Sequence, residues 1–491
     1  LQCRQKKLRS LSYRNGDYQR NRRLVMSKET DRIRTIQIRV EEEATPSFCL
    51  AKWQHVTMYL QTGETHSCYH PQPHKIPLHE LKDNPSALHN TWQKKMERKQ
   101  MLEGERPEGC QYCWNVEDLG KDNISDRHIR NSSIFTEERF DQALNGPWDQ
   151  NINPEYLEIN FGNECNFKCG YCHPKYSSSY HAEIKQFGPI ETVKNHRNDV
   201  DWMKLFEREE ENPYVDAFWE WWPEMNKDLN ILRVTGGEPT MHTSTWKLLK
   251  KIDEEPMPWL ELNINSNLGT KNALVKRLSS SVKKLCDENK LESFKMFTSL
   301  DCWGERAEYI RTGLDLELFQ KNLHTYLTET DSPVTFMCTF NLLAVTDFKS
   351  LLEKFLEWRA IYGWYDWKTE DKHRVRFDTP YLRDPIMYDM NILPKEEFMP
   401  YMHESLKFLK DNVDDERSDR FTTIEYEKFK RVVDYMENTH YDEDKLIEGR
   451  RDFYNFFNEI DDRRETDILS VYPELLDFYK LCQQTSLTNP L

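Results

Sequence analysis

Three cysteines, Cys165, Cys169 and Cys172, stand in the run GNECNFKCGYC with a C-x3-C-x2-C spacing. Thiols gathered into one short loop are soft metal ligands once deprotonated. Three of them suit a 4Fe-4S cluster that keeps one iron open to a small molecule. A structural zinc site asks for four ligands, and His173 adjoins Cys172 too closely to complete a relaxed tetrahedron. A second group lies upstream: Cys49, Cys68 and the pair Cys110-x2-Cys113. Four thiolates suit a fully protein-ligated 4Fe-4S cluster or a structural zinc ion, and the spacing alone leaves both open. The nearby His55, His66 and His70 are expected to be surface loop residues. Of twelve cysteines in 491 residues, seven fall between positions 49 and 172. That distribution is not the framework of a small secreted disulfide protein, so cytoplasmic chemistry is expected.

Chemistry at 165–172 needs a scaffold, and the flanking sequence supplies one. YLEINF (156–161) leads directly into the cysteine loop, and five more strand-like runs follow: NILRVT, LELNIN, FKMFTSL, VTFMCTF and HRVRFD. Amphipathic helical stretches lie between them, among them TSTWKLLKKI, NALVKRLSSSVKKLC, LELFQKNLHTYL and FKSLLEKFLEWRA. Repeated strand–helix alternation predicts an α/β fold with a parallel sheet or barrel, whose chemistry sits at the carboxyl ends of the strands. Residues 176–228 exceed one crossover and are expected to hold a helical insertion, with DWMKLFERE and VDAFWEWWPEM as its helices. Residues 41–125 form a cysteine-bearing module, and 126–155, with Gly146-Pro147, read as a linker. The end, 386–491, is helical and acidic, and its aromatic stripes are read as packing.

Charge is uneven. Residues 1–40 carry twelve Lys/Arg against three acids, leaving −25 for residues 41–491 within a total of −16. So acidic a body repels phosphate backbones, which argues against nucleic acid as a partner. The basic head is expected to be a disordered tail, or sequence ahead of a start at Met26. With 37% hydrophobic residues and a mean hydropathy of −0.86, no window is apolar enough to span a membrane.

Taken together, C-x3-C-x2-C with Tyr171 as its aromatic resembles the signature of the radical S-adenosylmethionine enzymes. Arg233-Val-Thr-Gly236-Gly237-Glu238-Pro239 resembles that family's GGEP motif; Ser266 and Asn267 resemble its third-strand turn, with Leu268 in place of the usual Gly. Ser299 and Asp301 match its Ser-x-Asp, and Arg311 follows as the family has it. The resemblance implies a partial (β/α)6 TIM barrel over 156–385. It also implies a cluster on Cys165, Cys169 and Cys172, and S-adenosylmethionine contacts from Tyr171, Gly236, Gly237, Glu238, Ser266, Asn267, Ser299, Asp301 and Arg311. The upstream cysteines resemble the Twitch module, here N-terminal to the barrel, with Glu117, Gly120, Ser125 and Arg127 in its trailing run. That implies an auxiliary 4Fe-4S cluster on Cys49, Cys68, Cys110 and Cys113, binding substrate or taking its electron.

The activity implied is reductive cleavage of S-adenosylmethionine to a 5′-deoxyadenosyl radical that abstracts hydrogen from a small-molecule or peptide substrate. An electron donor such as flavodoxin or ferredoxin is the implied partner. The alternative is a non-catalytic iron–sulfur or zinc protein that uses the same fold as a binding module. Arg233 shares a strand face with Thr235 and Gly237, about 13 Å deeper than Gly237. There it is expected either to pair with a carboxylate such as Glu158 or Asp378, or to hold an anionic group of the substrate.

Overall fold

The computed structural model describes residues 30–120, 123–193, 205–206, 208–363 and 373–489. The chain is a mixed α/β protein that divides into two compact units. The first comprises Leu1–Met58, Gly63–Leu157 and Pro213–Leu229; the second comprises Tyr59–Thr62, Glu158–Asn212 and Asn230–Leu491.

The first unit holds three short strands, β1 (His55–Tyr59) as far as Met58, β2 (Glu64–His66) and β3 (His74–Lys75), with β2 and β3 antiparallel. Helices Trp92–Leu102, Gln111–Glu117, Asp126–Ile134 and Glu137–Asn145 complete its cysteine-bearing part. One apolar cluster gathers Phe48, Trp53, Met101, Trp114, Ile134, Phe140 and Ile152. The expected linker 126–155 is therefore no linker. Thr136 caps its second helix by accepting from Arg139 N (3.2 Å), and Phe140 and Ala143 of that helix are buried in the cluster. Gly146-Pro147 only ends that helix. Residues 30–43 are likewise helical, so the disordered tail expected over 1–40 stops short of 30; its remainder, 1–29, lies outside the described residues.

The second unit contains the six strands read from the sequence: β4 (Tyr156–Asn160) from Glu158 onward, β5 (Ile231–Thr235), β6 (Met257–Asn265), β7 (Leu291–Ser299), β8 (Val334–Met337) and β9 (Val375–Asp378). They neighbour one another in chain order, and β5 through β9 pair in parallel register. Parallel neighbours require crossovers, and helices Thr243–Glu254, Asn272–Asp287, Leu316–Glu329 and Phe348–Tyr362 provide them. Alternation along the strands separates two faces. Ile159, Leu232, Val234, Leu262, Ile264, Met296 and Phe336 are fully buried. Each such side chain contributes about 1.5–3 kcal/mol of burial. Glu158, Arg233, Asn265, Phe297, Thr335 and Arg376 make up the other face and keep partial exposure.

In the expected insertion, helices Ser178–Phe187 and Pro213–Met225 form, the latter belonging to the first unit. Residues 201–204 and 207 of the anticipated helix DWMKLFERE lie outside the described residues. The C-terminal extension is helical as read, and Phe429, Val432, Phe456 and Phe457 of its aromatic stripes are buried. Among the described residues no helix is long and apolar enough to cross a membrane.

Candidate functional site

In the second unit the cysteine loop leaves β4 and is pinned by its backbone. Glu164 O accepts from Glu238 N (2.7 Å), Lys168 N donates to Thr312 O (2.7 Å), and Cys165 N donates to Ser178 Oγ (3.1 Å). Gly237 explains the GGEP glycines physically. A Cβ there would lie 2.3 Å from Glu164 O, and one at Gly236, whose φ is +106°, would lie 2.1 Å from Asn160 Oδ1. Only glycine lets the two turns touch.

Two side chains donate towards the thiols: Asn267 Nδ2 to Cys165 Sγ and Arg311 Nη1 to Cys169 Sγ, each at 3.9 Å. Burial raises both thiols, with the neighbouring cysteines adding to the effect at Cys165. Metal binding here must therefore displace protons. Cys172 remains partly exposed beside a pocket lined by Gly170, Tyr180, Met387 and Phe456. His173, dismissed as a ligand from the sequence, accepts from Lys175 N at 3.1 Å.

The other expected cofactor contacts divide. Glu238 is fully buried, and its carboxylate accepts from Thr240 N (3.1 Å), Thr240 Oγ1 (2.7 Å), Ser266 Oγ (2.9 Å) and Asn267 N (2.6 Å). It ties the second-strand turn to the third-strand turn. Asp301 lies beyond the end of β7, fully buried, and is bound by Tyr171 Oη (2.8 Å), Arg311 Nε (2.9 Å) and Arg311 Nη2 (3.0 Å). Ser299 stays half-buried at the strand end, while buried Asp301 anchors Tyr171 and Arg311. Tyr171, Glu238, Ser266, Asp301 and Arg311 bind the loop and the turns beside it, and Gly236 and Gly237 are partly exposed. Leu268, where the family turn has Gly, adopts φ +51°, a left-handed strain of about 1–2 kcal/mol that full burial of its side chain offsets.

Support from the C-terminal extension has no signature in the sequence. Arg464 bridges to Glu183 (2.9 Å) and donates to Thr312 Oγ1 (3.0 Å), while Lys168 meets the same Glu183 at 2.5 Å. Tyr309 Oη donates to Asp461 (2.9 Å). The contacts of Arg464 and Asp461 join partners more than 100 residues apart, and no local pattern encodes them.

In the first unit Cys49, Cys68, Cys110 and Cys113 all line one pocket of about 440 Å³ including its mouth. Lys52, Arg127 and Arg130 face the same pocket, cations suited to offset four thiolates. Burial and mutual repulsion raise Cys49, and burial pushes Cys113 up to about 11. Burial alone would lower the Lys52 amine, but the adjoining Cys110 and its ion-pair partner Glu97 hold it raised. Glu117 accepts from Ser125 (2.6 Å) and from Arg127 (2.8 and 2.9 Å), and Arg127 Nη1 reaches Phe48 O (2.8 Å). This girdle fixes the Cys49 segment to the helix carrying Cys113. It unites three of the four residues of the trailing run, Glu117, Ser125 and Arg127.

The histidines correct another expectation. His55 and His66 are buried, and only His70 reaches the pocket edge, stacked on Tyr112 at 3.7 Å and bonded to Asp126 at 2.8 Å. Burial, helped by nearby cations such as Arg130 at His55 and Arg127 at His128, lowers His55 to about 3 and His66, His74 and His128 to about 4. Their folded-state values lie below the unfolded 6.5, so the unfolded chain binds more protons between those limits. This stabilisation is complete above pH 6.5 and is lost as pH falls towards 4. Hydrogen exchange of the metal-free protein, corrected for intrinsic rates, is expected to show β1 losing protection over pH 6 to 4 before β6 does. Equal protection of both strands at pH 4 would contradict it. No model of a known protein family matches the chain, and no curated protein is similar to it at a significant level.

Proposed function

We propose that this protein is a radical S-adenosylmethionine enzyme with an auxiliary iron–sulfur cluster in its first unit. The observation that carries the reading is the placement of Cys165, Cys169 and Cys172. They lie in one loop after the first of six consecutive strands, with the close-packed glycines 236 and 237 against it. The donor set fits a three-thiolate cluster: two thiols already receive N–H donors, from Asn267 and Arg311. The four-thiol pocket with its three cations fits a fully ligated auxiliary cluster. A cluster ligated by four thiolates offers no open iron to a substrate, so of the two roles implied by the resemblance, electron acceptance suits this pocket.

When bound, S-adenosylmethionine and a reduced 4Fe-4S cluster supply a 5′-deoxyadenosyl radical as the hydrogen-abstracting agent. The chain's own part is orientation and exclusion of water. Gly236 and Gly237 offer backbone at close range. Asp301 and Arg311 hold Tyr171 and Cys169 in place. The partly exposed polar face of β4–β9 is the surface for the substrate, which in the partial barrel we propose would face the radical.

A second reading, a non-catalytic iron–sulfur or zinc protein, is favoured by one observation: Glu238, Asp301 and Arg311 are buried and bound to protein partners. Anaerobic reconstitution followed by reduction separates the two. Reductant-dependent 5′-deoxyadenosine is expected, and a full iron complement without it would overturn the enzymatic reading.

A further inference from the structure

Arg233 sits on the polar face of β5, opposite Asn263 of β6 in the parallel register. Three neighbours fix its guanidinium. Its carbon lies 4.3 Å from the Phe297 ring centroid, its Nε donates to Asn265 Oδ1 (3.0 Å), and Glu158 stands 3.9 Å from that same Nε. Stacking sets the plane of the fork, and the Nε bond sets its rotation within that plane. Both interactions use the inner edge and the face of the group. Its terminal Nη1 and Nη2 have no partner among the described residues, and the side chain retains 20% exposure.

Neighbouring charges on this face are committed. Lys295 meets Glu261 at 2.6 Å, and Asp378, the other carboxylate anticipated for Arg233, meets Lys428 at 2.8 Å. Glu158 approaches from the Nε side and leaves the outer pair of N–H groups untouched. A planar fork held in this way is prepared for end-on, bidentate contact with two oxygens of one anion. Such preparation lowers the ordering cost of binding.

We propose that Arg233 is the anchor of an oxyanion subsite on the sheet face, taking a carboxylate or phosphate group, and that Asn265 and Phe297 are its positioning residues. Assigning that anion to the substrate rests on the radical-enzyme reading; the binding itself does not.

The test uses the full chain as isolated, without cluster reconstitution, so that its failure and the failure of the radical reading are distinguishable. Arginine modification by phenylglyoxal is followed at Arg233 by peptide mass spectrometry, at constant ionic strength, with inorganic phosphate, with malonate or with chloride alone. Arg277, which stacks on Trp246 at 4.0 Å, serves as the reference arginine. Phosphate or malonate is expected to slow modification of Arg233 by about threefold or more, with Arg277 unchanged. Protection by phosphate only assigns a phosphate-bearing ligand, and by malonate only a carboxylate-bearing one. Glu158→Gln removes the competing carboxylate and is expected to strengthen protection, whereas Asn265→Ala frees the fork and is expected to weaken it. Equal modification in all three solutions, with a folded protein, would overturn the subsite and leave Arg233 a purely structural partner of Glu158 and Phe297.

Discussion

Replacing Cys165, Cys169 and Cys172 together with alanine is expected to reduce the iron of the reconstituted protein from about eight to about four atoms per chain and to abolish S-adenosylmethionine cleavage. The fold should survive the change. The loop is held by backbone bonds, Glu164 O to Glu238 N, Lys168 N to Thr312 O and Ser178 N to Asn163 O, none of which uses a sulfur. Cys165 and Cys169 are buried, but thiol-to-methyl truncation removes one heavy atom each and costs about 1 kcal/mol apiece. Iron and sulfide analysis beside circular dichroism checks the result. Retention of about eight irons in the triple variant would show that these thiols hold no cluster.

Replacing Cys110 and Cys113 with alanine is expected to remove the other four or so irons while reductant-dependent 5′-deoxyadenosine formation persists. The two sites are built from separate cores: Cys49, Cys110 and Cys113 belong to the apolar cluster around Phe48, Trp53 and Trp114, and the 165–172 loop is held by contacts within the second unit. The Glu117–Arg127 girdle stays in place without either thiol, so Cys49 should keep its position. Substrate-dependent turnover should fall far more than cofactor cleavage, because an auxiliary electron acceptor acts after hydrogen abstraction. Metal analysis decides the identity of the site. Stoichiometric zinc in the wild-type protein, lost in the double variant, would remove the redox role of the first unit.

Much of the scaffold could be read locally. Each of the six strands and four crossover helices carries its own period, 2 or 3.6, so β4–β9 and the helices between them appear where the residues alternate. The cysteine loop was legible for the same reason: its ligands are seven residues apart at most and need no distant partner to be recognised. Side-chain roles were less legible. Glu238 has the type of a ligand-binding carboxylate, but burial beside Thr240, Ser266 and Asn267 makes it a tie between turns. Gly146-Pro147 has the composition of a linker, yet it ends a helix whose Phe140 completes a core.

By itself the sequence determined the alternating α/β order, the two cysteine groups and the glycine pair before Glu238, because periodicity, spacing and backbone permissiveness are local properties. Tertiary structure alone decided three things: that His55 and His66 are buried, that Asp301 is spent on Tyr171 and Arg311, and that Arg464 braces Glu183. Which charge a buried group meets depends on residues tens to hundreds of positions away. Desolvation then decides whether that group stays available to a ligand or is consumed by the fold.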